Sequence, residues 1–205
     1  MHLKRNETVR NLPIARKGTK YIVRALSHHR DGVAVVMAVR DILGLAKTSK
    51  EVKKMVHEKM LKINGKLVKD IRQAVKVFDV LEAGKSYRLT LTPQRKFSFE
   101  EVDGKTRIAK VVDKRMVKGG KKQIVLHDGT NILSDEKIDI GGSVELEIPS
   151  KFKKFISLEK GRDAFVRKGR MIGSTGKIEN VDGKKVTLKI GERRTELDQS
   201  QVIVL

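Results

Sequence analysis

Val33 to Leu43 is an almost unbroken apolar run, and Gly44 is placed to end a helix there. Thr48-Ser49-Lys50-Glu51 then reads as a capping box, with Thr48 as N-cap and Glu51 three residues on. Val52, Met55, Val56 and Met60 recur at helical spacing, with Lys50, Lys53, Lys54 and Lys59 largely off that stripe. The period then changes to two. Asn64-Gly65, set between alternating apolar positions at 61–68, predicts a type I′ hairpin, whose centre needs positive φ twice. Val77–Leu81 and Tyr87–Leu91 read as further strands.

From residue 93 onward the pattern is that of short strands. Phe97 and Phe99 alternate with polar neighbours, and Val144, Leu146 and Ile148 alternate with Glu145 and Glu147. Asp103-Gly104, Gly119-Gly120, Asp128-Gly129 and Gly141-Gly142 punctuate them at roughly even spacing, as in a small barrel or sandwich. Lys177–Val181, Val186–Ile190 and Val202–Leu205, separated by Gly-containing turns, suffice for a five-stranded SH3-like barrel. The first 32 residues show no sustained period. The expected fold class is therefore α+β and multi-module: a basic N-terminal arm over 1–37, an α/β module over 38–92, a central small β-barrel or sandwich over 93–160, and a C-terminal SH3-like barrel over 161–205.

Charge changes what these modules are expected to meet. The 205 residues hold 46 Lys+Arg against 25 Asp+Glu, a formal net charge of +21. A domain of this size needs a net charge of only about 2–8 in magnitude for solubility. The surplus repels itself, so a polyanionic partner is its simplest explanation, and nucleic acid is the commonest. It runs through every segment and is densest in residues 1–32, which carry eight basic and two acidic side chains. That segment reads as an arm that orders on its partner. With two Tyr, six Phe and no Trp, base stacking is a poor mechanism. Phosphate and shape recognition of folded RNA is the better one.

Other chemistries find little support. No cysteine is present, which excludes disulfides, Cys-ligated zinc and thiol catalysis. The start lacks a signal-peptide pattern, and no apolar run approaches the ~20 residues needed to span a bilayer, so the expected setting is cytoplasmic. Gly173–Lys177 resembles the end of a P-loop, but Met171 stands where its first Gly belongs, and Ile178 where Ser or Thr must reach Mg²⁺. The five histidines, at 2, 28, 29, 57 and 127, show no metal-ligand spacing, and His127-Asp128 reads as a strand-end turn. No enzyme, cofactor, metal, membrane or small-molecule substrate is expected.

The strongest constellation lies over residues 45–70. Lys50, Lys53 and Lys54 stand beside a helix N-terminus, whose N–H groups attract phosphate, and Lys62, Lys66 and Lys69 flank the Asn64-Gly65 hairpin. Lysines on one helix usually just face water; here helix and hairpin are both basic, on a chain at +21. Together they form a ridge suited to a groove or junction of folded RNA.

Thr48–Asp70, with its "KINGKLVKDI", resembles the S4-type RNA-binding module. The rest of the chain resembles, in order, the archaeal and eukaryotic small-subunit ribosomal protein S4e family. His2-Leu3-Lys4-Arg5 is similar to its H-L-K-R signature, and Leu12–Tyr21 and Val39–Thr48 to its next blocks. Val77–Leu81, His127-Asp128-Gly129 and Gly141–Val144 resemble later pieces, and Gly173–Val181 its KOW motif, with Gly176 at the signature glycine. Asn6–Val9 depart from the family's alanine-rich stretch, and Leu12 replaces an aromatic.

The resemblance implies an archaeal-type structural protein that docks on 16S-type small-subunit rRNA beside neighbouring small-subunit proteins, with an S4-like module at 38–92 and a KOW barrel at 161–205. Expected contacts are Lys4, Arg5, Arg16, Lys17 and Lys20 in the arm, and Lys47, Lys50, Lys53, Lys54, Lys62, Asn64, Lys66 and Lys69 in the S4-like module. In the KOW module they are Arg167, Lys168, Arg170, Gly176 and Lys177, Gly176 allowing close backbone approach. A KOW-bearing transcription elongation factor or an RNA-modification factor is the alternative. The former need not carry the arm or the S4-like module, and the latter lacks a convergent acid–base set.

Overall fold

The structure, a computed structural model, describes residues 3–15, 17–28, 31–117, 120–134 and 136–205; Arg16, His2, His29 and Gly119 lie outside the described residues. The chain divides into two compact units, Met1–Gly104 and Lys105–Leu205. Strands dominate both, and the helical residues described are few, so the fold is mostly-β α+β.

In the first unit, strand β1 (Leu3–Lys4) pairs antiparallel with β2 (Tyr21–Ile22). The segment expected to be an arm that orders on its partner carries this short pairing. It is also tied to residues far along the chain. The N–H of Phe97 bonds Asn11 O at 2.9 Å, the N–H of Leu26 bonds Arg72 O at 2.9 Å, and Leu12 is buried. Backbone pairing of this kind leaves no periodic trace in sequence.

The apolar run at 33–43 divides. Its first residues belong to β3 (Gly32–Ala34), which pairs with β6 (Ala74–Lys76); helix α1 (Val35–Met37) follows and continues as a π turn over Ala38–Ile42. A fully buried β-branched run is compatible with strand or helix, and here the partner strand decides. No side chain caps α1. Its first N–H groups, from Val35 and Val36, bond Gln73 O and Ile71 O instead. Gly44, at φ +66°, closes the turn as expected.

Helix α2 (Ser49–His57) starts on Thr48. β4 (Leu61–Ile63) and β5 (Lys66–Leu67) form the predicted hairpin, with Asn64 and Gly65 at φ +51° and +74°. β7 (Val80–Ala83), β8 (Lys85–Leu91) and β9 (Phe97–Glu101) complete a five-stranded sheet in the order β5-β4-β7-β8-β9. Phe97–Glu101, expected to head the central β segment, is bonded along its length to β8. Val52 on α2 and Leu61, Leu81 and Leu89 in the sheet are buried.

The second unit holds two five-stranded sheets. The first is built around β10 (Thr106–Met116), an eleven-residue strand that pairs with two neighbours. Its first half pairs with β13 (Ser143–Glu147), and its second with β11 (Lys122–Leu126), across a register shift between Val111 and Asp113. Such a bulge bends the strand and lets one strand serve two partners. β12 (Asn131–Ser134) and β14 (Lys151–Ile156) complete the order β12-β11-β10-β13-β14 around a core that includes Val111, Ile124, Val144 and Leu146. The second sheet comprises β15 (Asp163–Val166), β16 (Thr175–Asp182), β17 (Lys185–Ile190), β18 (Arg193–Asp198) and β19 (Val202–Val204), in the order β18-β17-β16-β15-β19. Ile178, Val186, Leu188 and Val204 fill its core, and Ile156 from β14 joins them.

Candidate nucleic-acid interface

At the start of α2 the Thr48 hydroxyl accepts from Glu51 N–H at 3.3 Å, and Glu51 Oε2 accepts from Lys47 N–H at 2.8 Å. These bonds, the Lys47 one foremost, hold the Glu51 carboxyl below its ordinary range. Glu51 thereby closes the capping box at the start of the helix, its carboxylate held by Lys47 N–H and the Thr48 hydroxyl. The lysines around it remain exposed: Lys47, Lys50, Lys53 and Lys54, the last 3.8 Å from Glu58.

The hairpin presents Lys62, Lys66 and Lys69, all exposed, with Lys62 3.9 Å from Glu82. Pairs this open contribute little and are readily exchanged for a phosphate. Asn64 differs from the lysines. It is buried, its amide donating to Asp79 at 2.8 Å while its carbonyl oxygen accepts from Val80 N–H at 2.9 Å. Its side chain is thus bound into the fold, and sets the hairpin tip against β7.

Helix and hairpin meet in one groove of about 850 Å³. Lys53 lines it from α2 and Lys69 from the segment after β5, and the structure adds His57, Lys59 and Arg72 to them. Lys59 has φ +58°, which turns the chain out of α2 beside the groove. Asp70 is the groove's one carboxylate. Bonds from Arg72 hold it below its ordinary range, with a smaller pull from the Lys53 charge, so it offsets part of the groove's positive charge. Helical spacing singles out Lys59, but Arg72 joins only through the path of the chain after the hairpin.

In the clasped N-terminal segment Lys4, Lys17 and Lys20 are exposed, Lys4 3.9 Å from Glu7 and Lys20 5.5 Å over the Tyr21 ring. Arg5 points inward. Its guanidinium donates to Thr19 O at 2.8 Å, to Ala15 O at 2.5 Å and to Thr19 Oγ1 at 3.2 Å. Gly18 gives it room, since a Cβ there would lie 2.7 Å from Arg5 Nη2. Arg5 therefore bridges Ala15 and Thr19.

In the second unit Lys168 and Arg170 are exposed on the loop after β15, and Lys177 is exposed on β16. Gly176 does meet a close backbone, but it is the chain's own: a Cβ there would lie 2.5 Å from Lys189 O on β17. Arg167 is half-buried beside Lys110. Lys110 itself was not foreseen. It is buried on β10, and its ammonium donates to Val202 O at 2.6 Å and to Gln199 O, fastening the two sheets. Burial, with the nearby Arg167 charge, pushes it down to about 8. Two further bonds join the same sheets: Val204 N–H to Ser143 Oγ at 3.0 Å, and Gln199 Nε2 to Ile140 O at 3.0 Å.

His127 and Asp128 lie at the end of β11. His127 Nδ1 accepts from Lys110 N–H at 3.1 Å, and Asp128 binds the buried Arg107 guanidinium. These contacts are structural. Among the described residues no group of three His, Asp or Glu is arranged to hold a metal, and no helix is long and apolar enough to cross a membrane.

This architecture is also that of a 30S ribosomal protein. The crystal structure of S4e from Thermoplasma acidophilum aligns with a TM-score of 0.73 and 24% identity, over 85% of this chain and 95% of that one. Sequence relatives carry the assignment further. The small ribosomal subunit protein eS4 of Methanocella arvoryzae is 32% identical over 188 residues, covering 88% of this chain and 80% of that protein. That of Korarchaeum cryptofilum is 31% identical, covering 88% and 81%. The model of Ribosomal family S4e matches residues 83–152. The chain belongs to the ribosomal S4e family.

Proposed function

We propose that this chain is a structural, non-enzymatic constituent of the cytoplasmic small ribosomal subunit, docking on folded 16S-type rRNA through backbone phosphates and shape, beside neighbouring small-subunit proteins. The observation that carries the reading is the groove between α2 and the β4–β5 hairpin, where Lys53, Lys59, Lys69 and Arg72 gather. In this reading residues 38–92 act as an S4-like module and 161–205 as a KOW-type SH3-like barrel, with 1–37 the basic arm and 93–160 the central β domain. Exposed cations at Lys4, Lys17, Lys20, Lys47, Lys50, Lys53, Lys54, Lys62, Lys66, Lys69, Lys168, Arg170 and Lys177 touch phosphate. Arg5, Asn64, Arg167 and Gly176 shape the surface that carries them. Affinity comes from counterion release, so binding weakens steeply with salt.

The test is a salt titration of rRNA binding with Lys50, Lys53 and Lys54 changed to alanine. The log–log slope falls by about 0.7–0.9 for each phosphate that is no longer neutralised. An unchanged slope removes α2 from the RNA surface.

A further inference from the structure

The antiparallel register of the last sheet sets three cations side by side. Lys177 on β16 lies directly opposite Lys189 on β17, and Lys189 directly opposite Arg194 on β18. Directly opposed residues share a face, and all three are exposed, so they form one outward row about 10 Å long. Like charges opposed in this way destabilise a sheet. The other rows of this face avoid it. Two residues along, Thr187 faces Asn180 and Glu196, and two further, Lys185 faces Asp182 and Asp198. The first of these rows carries a single charge and the second alternates in sign, and Lys185 is also 2.8 Å from Glu196.

Compensation within the cationic row is partial. Arg194 is 2.9 Å from Glu179, and Asp163 on β15 stands opposite Lys177 without an ion pair. Among the described residues neither Lys177 nor Lys189 has a hydrogen bond or ion pair through its ammonium. Gly176, having no Cβ, lets β16 approach Lys189 O closely at this point, and the β16–β17 ladder keeps the two lysines side by side.

We propose that Lys177, Lys189 and Arg194 form a phosphate-docking row for a stretch of RNA backbone. The row is separate from the α2–hairpin groove. Its occupant is a polyanion with charges repeating along a line, which relieves the repulsion between neighbouring strands. No aromatic side chain stands in the row, so the backbone and not the bases is what it holds. The proposal rests on the rRNA-binding reading above.

The test compares the wild-type chain with K177T/K189T and K177R/K189R in thermal melts and in binding to transcribed small-subunit rRNA across a salt series. Threonine suits a strand and removes the repulsion, so the first variant melts higher by about 1–4 °C. It also binds RNA on the order of tenfold more weakly, with a salt slope lower by about 1.4–1.8. The arginine pair keeps wild-type affinity and slope. Thr variants whose affinity and slope match the wild type overturn the docking row, and an acidic protein as the true occupant gives that result. A wild-type chain without salt-dependent rRNA binding fails the ribosomal reading and the row with it. The two failures are thereby distinct.

Discussion

Asp128 shows how a single side chain in this protein can be read wrongly as surface chemistry. His127-Asp128-Gly129 has the sequence of a strand-end turn, and the turn is there. What sequence does not reveal is Arg107, whose guanidinium meets Asp128 with both side chains almost fully buried, at 1% and 3% exposed. Burial pushes the Asp128 carboxyl up, but the charge and hydrogen bonds of Arg107, with bonds from Thr130, outweigh it and hold the group down at about 2. A carboxyl depressed in the folded state contributes stability above its unfolded pKa and loses it as pH falls through the folded value. Stability therefore drops by about 2 kcal/mol between about pH 4 and pH 2 from this group. Asp128→Ala, which strands the buried guanidinium, costs about 3–5 kcal/mol at neutral pH. Urea unfolding across that pH range, for wild type and variant, checks both statements. Arg5 and Lys110 teach the same lesson. Each counts toward the +21, yet each is occupied by backbone carbonyls of its own chain. Composition cannot separate an inward cation from an outward one.

At the scale of elements, what was legible was local chemistry. The Thr48–Glu51 capping box, the Asn64-Gly65 turn and Gly44 each demand a backbone geometry that few residue types satisfy, and each is found where expected. Thr48→Ala removes the oxygen that accepts from Glu51 N–H and frees Glu51 from its Thr48 contact. It lowers stability by about 1 kcal/mol, readable as a shifted urea midpoint with unchanged m-value. What was not legible depended on distant partners. Val33 and Ala34 became strand because 74–76 lies alongside them, and Arg10, Asn11, Leu12 and Leu26 are held by bonds to Lys96, Phe97 and Arg72. The groove was half legible. Spacing points to Lys53 and Lys69, but Arg72 enters it only because the chain doubles back after β5.

At the scale of the whole molecule, a net charge of +21 is a burden for a free protein and an asset for one embedded in RNA. Each unit carries its own cationic feature, a groove in the first and a strand row in the second. No Phe or Tyr lines the groove or stands in the row. A surplus of this kind, matched to the small ribosomal subunit, should hold the chain there electrostatically. Sucrose-gradient sedimentation of a cell lysate containing the tagged full chain is the decisive measurement. The chain is expected in the small-subunit peak at low salt, and is released toward the top of the gradient as salt rises. Sedimentation with RNA polymerase, or free protein at low salt, would contradict a place in the small subunit.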